Sequence, residues 1–293
     1  MMVNLNSGPI NPRRVVLLGG SGFIGHRISS MLNDLGVAVL SLGSKDLDLT
    51  AATAVERLEQ LLCSTDSVLF LSAITPDKGR DTDVFIKNLL MMKHLCEALK
   101  NKPVNHVVYF SSDAVYGQGQ SFVSEDSPVA PQDLYGAMHL AREIMLSELR
   151  ETPFMTLRVT MVYGAGDTHA SYGPNRFFKT ALQNRVINLF GCGEELRDHI
   201  HIDDVVNITK LCINMRSKGV LNLATGKSNS FKRVAKIVAD QFSNRIEIIE
   251  NPRITKVTHR HYDITNLLSA FPMLSFTNIE DGASSYLNYQ MVK

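Results

Sequence analysis

Val15-Val16-Leu17-Leu18-Gly19-Gly20-Ser21-Gly22-Phe23-Ile24-Gly25 is a four-residue apolar run that breaks into spaced glycines and then into a helix-like pattern. The order reads as a strand that delivers the chain to a helix N-terminus, where unpaired backbone N–H groups and the helix dipole favour a phosphate. Gly19, Gly22 and Gly25 lack a Cβ, so the chain can turn tightly, a diphosphate can approach the backbone, and the helix can pack close to the sheet. Gly20, Gly22 and Gly25 also satisfy G-x-G-x-x-G, so spacing alone does not separate the dinucleotide-binding subfamilies. Ile28, Met31, Leu32 and Leu35 follow at helical spacing and supply the context that a lone glycine motif lacks.

Outward from this turn, strand-like and helix-like segments alternate. Residues 37–42, 67–71, 104–110 and 154–159 read as strands, and 51–62, 83–101 and 133–150 as helices, with Pro103 stopping the long one. Such alternation with short connections implies an α/β fold built on a doubly wound parallel sheet covered on both faces. From Gly164 the texture changes, through Tyr172-Gly173-Pro174-Asn175-Arg176 and Leu189-Phe190-Gly191-Cys192-Gly193 to Arg197-Asp198-His199-Ile200-His201-Ile202-Asp203-Asp204. This reads as a smaller cap at the carboxyl end of the sheet, where open α/β sheets bind ligands. The expected partition places 13–165, with about 203–226 and 260–272, in a dinucleotide-binding domain. Residues 166–202, 227–259 and 273–293 form a substrate-binding cap.

A chain of 293 residues, 44% of them apolar, can bury a substantial core. Its formal charge of +1 provides no global field for nucleic acid or an anionic membrane. Nor is there a basic stripe interleaved with aromatics. No apolar run approaches the roughly 18 residues that span a bilayer. Cys63, Cys96, Cys192 and Cys212 are far apart and form no C-x-x-C, so they read as reduced thiols, mostly core filler, in a cytoplasmic protein with no metal site. Residues 1–14, polar with Pro9 and Pro12, read as a short disordered lead. Helix 83–101 is apolar around much of its circumference and must bury two faces. A homodimer through helices 83–101 and 134–150 would cover the second face.

The end of the second strand bears on the cofactor. An acid there grips the 2′-hydroxyl of NAD, whereas a basic or small polar residue accommodates the extra phosphate of NADP. The chain reads Leu42-Gly43-Ser44-Lys45, with Asp46 one step later, which favours NADP over NAD with Ser44 and Lys45 as phosphate partners.

Four features in this order, Gly19-x-x-Gly22-x-x-Gly25, Ser112-x-x-Val115-Tyr116-Gly117, Tyr135 at a helix start, and Arg197-Asp198 before Ile202-Asp203-Asp204, resemble the extended short-chain dehydrogenase/reductases. More narrowly, they resemble the NAD(P)-dependent sugar-nucleotide epimerase/dehydratase group, from about residue 13 to about 270. The resemblance implies a Rossmann-type domain, a nucleotide-activated sugar as substrate, and a Ser/Thr–Tyr–Lys catalytic set. In that set a tyrosinate exchanges a proton with the substrate oxygen while hydride passes to or from the nicotinamide. The serine orients the same oxygen, and the lysine holds the ribose and lowers the tyrosine pKa. Ser112 and Tyr135 take the first two places, and Asp113 resembles an acid used by the dehydratases. Phe23, Ile24, Asp48, Ser72, Ala73 and Asn88 fall at cofactor-side positions, and Asn175, Arg197 and Arg260 at substrate-side ones.

The lysine is absent. Tyr135-Gly136-Ala137-Met138-His139 places histidine at the fourth residue on, on the same helix face. A unit charge about 4 Å from a phenol is worth up to about 4 kcal/mol at an effective dielectric near 20, and a largely neutral imidazole supplies only a fraction of that. Arg142, seven residues from Tyr135, is a partial substitute on a similar face. Tyr289-x-x-x-Lys293 matches the spacing by chance. Met161 stands where many sugar-nucleotide enzymes carry asparagine. Two readings follow: an NAD(P)-linked enzyme with His139 as a weakened or pH-gated stand-in for lysine, or a dinucleotide-binding sensor or scaffold that has lost full catalysis.

Overall fold

In the run Arg14-Val15-Val16-Leu17-Leu18 every residue after the arginine is buried, and alternate side chains go to opposite faces of the strand. Val15 and Leu17 join one apolar core, and Val16 and Leu18 another. A strand buried on both faces needs a layer of helices on each side, and that requirement sets the architecture.

The computed structural model describes residues 2–167 and 173–292, so Tyr172 and Lys293 of the sequence reading lie outside it. The first half runs β1 (Val3–Asn4), β2 (Arg14–Leu18), α1 (Phe23–Asp34), β3 (Ala38–Leu42), α2 (Ala54–Leu61), β4 (Asp66–Phe70), α3 (Thr82–Asn101), β5 (His106–Ser112), β6 (Phe122–Val123) and α4 (Leu134–Ser147). The second runs β7 (Phe154–Val159), β8 (Met161–Tyr163), α5 (Gly173–Asn184), β9 (Val186–Phe190), β10 (Leu196–His201), α6 (Ile202–Asn214), β11 (Ser217–Leu223), β12 (Ser228–Ser230), α7 (Phe231–Ala239), β13 (Glu247–Asn251), β14 (His261–Tyr262), α8 (Thr265–Ala270) and α9 (Ile279–Val292).

The main sheet has the order β1-β11-β7-β5-β4-β2-β3 and is parallel except for β1. Ile28 and Leu32 of α1, Val205 and Ile208 of α6 and Leu267 of α8 cover one face. Leu58 of α2, Met92 and Leu95 of α3 and Leu146 of α4 cover the other. A separate apolar cluster ties α5, β9, α7 and α9 together through Phe178, Leu189, Val234 and Tyr286.

Two expectations are corrected. Residues 2–14 are not part of a disordered lead. Val3 and Asn4 pair with Lys218 and Ser217 of β11, and the Leu5 and Ile10 amides donate to the carbonyls of Met215 and Asn214. Nor are the thiols mostly core filler, since Cys63 and Cys192 are exposed while Cys96 and Cys212 are buried.

Candidate active site

The parallel strands end side by side, with Leu18 opposite Phe70 and Ser112 opposite Val159. The chain leaves β2 for neighbours on both of its sides, β3 and β4, which opens a crevice between the ends of β2 and β4. Gly19 sits there with φ +96°, and a Cβ on it would lie 2.7 Å from the backbone nitrogen of Ser72, so neither the dihedral nor the space admits a side chain. Gly22 caps α1 without any side-chain hydrogen bond, and no acid stands in the first turn of the helix. The N–H groups at Phe23, Ile24 and Gly25 therefore head a helix whose positive end has no carboxylate to neutralise it. At the end of β3, Asp46 accepts the Gly43 amide at 2.8 Å and closes its own turn, while Ser44 and Lys45 remain exposed. Asp48 is likewise engaged locally, accepting from the Thr50 amide and hydroxyl at 2.8 and 2.7 Å.

Ser112 ends β5, and residues 113–115 form a single 3-10 turn that Ser112 caps by accepting the Ala114 amide at 3.2 Å. Helix α4 starts at Leu134, its first turn capped by Asp133, whose carboxylate accepts the Gly136 amide at 2.8 Å. A Cβ at Gly136 would fall 2.2 Å from the Ala114 carbonyl oxygen, so this glycine is what lets the helix seat directly on the turn. That seating brings Tyr135 to the Ser112 turn; burial, and then the Asp113 charge, push its phenol up to about 12 against the opposing pull of Ser112 and Arg142. Asp113 is itself raised by burial, and its Oδ2 accepts the Tyr262 hydroxyl at 2.5 Å.

His139 is 3% exposed and packs edge-on against Tyr135, with ring centroids 4.6 Å apart. Its Nδ1 lies 2.7 Å from the Tyr109 hydroxyl, and its Nε2 is buried without a partner among the described residues. Burial first, and then the Arg142 charge, hold its pKa well below that of an ordinary imidazole. A histidine gated by protonation near neutral pH does not fit this pocket, and His139 stays neutral there. The cation is Arg142, fully buried, donating to the Asn88 carbonyl from Nε at 2.9 Å and to the Ser72 carbonyl from Nη1 at 2.8 Å. Asn88 clamps the segment after β4 by pairing both amide groups with the Ile74 backbone, at 2.9 and 3.0 Å. Asn88 therefore fixes the backbone at Ile74, where its side chain is committed, and Arg142 fixes that at Ser72.

Arg260 and Arg197 line a cavity of about 100 Å³ together with Asp113, Tyr116 and Asp133. Arg260 is held by the Gly117 carbonyl at 3.0 Å. Arg197 is already engaged, donating to Glu195 at 2.7 Å and to the Thr258 carbonyl at 2.6 Å. A second cavity of about 190 Å³ lies on the other side of Asp133, against Tyr135, Met138, Asn88 and Arg80. Asn175 is not brought to either cavity: it is buried, accepting the Gly164 amide at 3.0 Å and donating to Asp167 at 2.8 Å. The sequence reading missed Tyr262, Tyr109 and Glu143. The last forms a buried ion pair with Arg158 at 2.8 Å and accepts the Ser111 hydroxyl at 2.5 Å. Arg158 also donates to the Tyr116 hydroxyl at 2.9 Å, so β5, β7 and α4 are locked directly behind Ser112.

A doubly wound parallel sheet with a glycine turn at its switch point and a serine–tyrosine pair on the same edge defines a Rossmann-type protein of the short-chain dehydrogenase/reductase kind. The chain belongs to the NAD dependent epimerase/dehydratase family, whose model matches residues 15–224. It is 27% identical to an ADP-L-glycero-D-manno-heptose-6-epimerase of Brachyspira hyodysenteriae, across 93% of this chain and 96% of that protein. Among solved structures it is similar to the Helicobacter pylori ADP-L-glycero-D-manno-heptose-6-epimerase, with TM-score 0.84 and 19% identity, covering 98% of this chain and 99% of the other. It is also similar to a Thermus thermophilus UDP-glucose 4-epimerase in complex with NAD, with TM-score 0.82 and 23% identity, covering 94% and 98% of the two chains.

Proposed function

We propose that the protein is an NAD(P)-dependent enzyme that acts on a nucleotide-activated sugar, with Tyr135 as the proton-transferring group and Ser112 as its partner on the substrate oxygen. The observation that carries this reading is the seating of the Tyr135 end of α4 on the turn that Ser112 caps, at the sheet edge that also bears the Gly19 turn. The fit to a dinucleotide rests on the uncapped N-terminus of α1 and on the buried, unpartnered His139 Nε2. When bound, the nicotinamide supplies a hydride acceptor or donor. The chain's own residues do the rest. Gly22 to Gly25 hold the diphosphate, and Ser44 and Lys45 meet the adenosine 2′-phosphate, which favours NADP. Tyr135 rests as a phenol, the form that returns a proton to a carbonyl under reduction. Arg260 and Arg197 face the substrate's charged end, with Arg197 exchanging Glu195 for the ligand. The names of the relatives, an ADP-heptose and a UDP-glucose epimerase, support a nucleoside-diphosphate sugar. Exposed Ile86 on α3 and Ile144 on α4 support a homodimer through these helices.

A sensor or scaffold remains the second reading, favoured by the uncharged His139 and the internally satisfied Arg197. The deciding experiment incubates the protein with NAD or NADP and a panel of nucleotide sugars in D2O and follows the sugar by NMR. Deuterium entering the sugar, or a changed sugar, is expected. Cofactor and sugar binding with neither a changed sugar nor deuterium incorporation on any member would leave the sensor reading.

A further inference from the structure

Arg142, Tyr109 and His139 come from two elements that face each other, β5 and α4, and they form a chain of contacts whose polarity is dictated by chemistry. A guanidinium has donors only. Arg142 spends its donors on the Asn88 and Ser72 carbonyls, and its charge lies near the Tyr109 hydroxyl. Tyr109 is fully buried, and among the described residues Nδ1 of His139, 2.7 Å away, is the hydrogen-bond partner of its hydroxyl, so the Tyr109 proton is satisfied only by pointing there. An imidazole that accepts at Nδ1 and stays neutral carries its proton on Nε2. That Nε2 is buried, and among the described residues no group accepts from it. A buried polar group without a partner is the exception in folded proteins, and here it stands beside the proposed acid/base.

We propose that Tyr109 is a positioning residue that locks His139 as an Nε2–H donor, kept for a hydroxyl oxygen of the bound dinucleotide's ribose next to Tyr135. The work of a lysine is thereby divided. His139 supplies a hydrogen bond without charge, and Arg142 supplies charge without touching the ligand, lowering the phenol pKa of Tyr135 from beneath. The titratable and charged groups facing His139 are Tyr109 from the sheet and Tyr135 and Arg142 from its own helix. Glu143 is occupied by Ser111 and Arg158. The ligand half of the inference rests on the proposed function; the tautomer half does not.

Nitrogen-15 NMR of histidine-labelled protein, with His139 assigned from His139→Gln, reads the tautomer directly. The wild type is expected to show a neutral Nε2–H imidazole with no titration between pH 5.5 and 8.5. Tyr109→Phe, which keeps the ring and the packing, is expected to lose that tautomer preference. An Nδ1–H form in the wild type, a protonation midpoint inside that range, or an unchanged tautomer in Tyr109→Phe would overturn the donor chain. Saturating the wild type with NAD, and separately with NADP, should shift the Nε2–H signal. If cofactor binds by calorimetry and the signal stays put, the ligand assignment is wrong. If neither cofactor binds, the proposed function falls and takes the ligand half with it, while the tautomer result stands.

Discussion

The glycine turn and the Tyr135 helix face the same crevice and are built on opposite principles. Around Gly19 to Gly25 the useful groups are backbone N–H donors, and the side chains matter by being absent. Around α4 the useful groups are side chains, each held by a partner distant in sequence: Tyr109 on His139, Asn88 and Ser72 on Arg142, Tyr262 on Asp113. A backbone site is spoiled by adding atoms and a side-chain site by removing them, and the two should fail in different measurements.

The largest effect falls on the side-chain half. Arg158→Met strips the Glu143 carboxylate of its buried partner and should cost about 3–5 kcal/mol, seen as a lowered urea midpoint. Tyr135→Phe removes the oxygen proposed to transfer the proton and leaves the fold alone. Turnover should fall about 10²–10⁴-fold, with NAD affinity by calorimetry unchanged. On the backbone half, Gly19→Ala forces an alanine to positive φ and a methyl into the Ser72 backbone. We expect ~2–4 kcal/mol of lost stability by thermal melting, together with loss of cofactor binding.

The halves also differ in response to pH. Tyr135, pushed up to about 12, is phenol throughout the neutral range, so the reactive phenolate grows as pH rises. The oxidative kcat/KM should climb about tenfold per pH unit from 6.5 to 8.5, with no inflection near 6.5 because His139 does not charge there. Amides do not titrate, so the affinity for NAD should stay nearly flat across the same range. The smallest change is expected from Lys45→Ala. One exposed charge is worth less than about 1 kcal/mol, so affinity for NADP should drop no more than about fivefold, with NAD unaffected.

This contrast also explains what could be read from residues alone. The turn was legible because its requirements are local: an apolar strand, glycines where a Cβ cannot fit, and an amphipathic helix. The parallel sheet was legible for the same reason, from runs such as Val15 to Leu18 that are buried on both faces. Ser112 and Tyr135 could be named from family likeness, but what surrounds them could not. Tyr262 reaches Asp113 from 149 residues away, and nothing in its neighbourhood marks it. His139 was legible as an anomaly, while its neutrality depends on Arg142 and on burial, both products of packing. Asn175 and Arg197 carry suitable chemistry at suitable places, yet each already has protein partners. The pairing of Val3 and Asn4 with β11 was hidden by a polar, proline-bearing context, because such short strands are defined by the edge they meet.

That N-terminal pairing has a practical side. Without β1, Ser217 and Lys218 at the start of β11 would lose their pairing partners and lengthen the open rim of the strand, the kind of template on which chains join edge to edge into aggregates. The opening residues work as a selvedge, and a purification handle or truncation there would fray it. Handles belong at the other terminus, and a shortened variant that precipitates on concentration would be reporting an unhemmed sheet rather than a damaged catalytic centre.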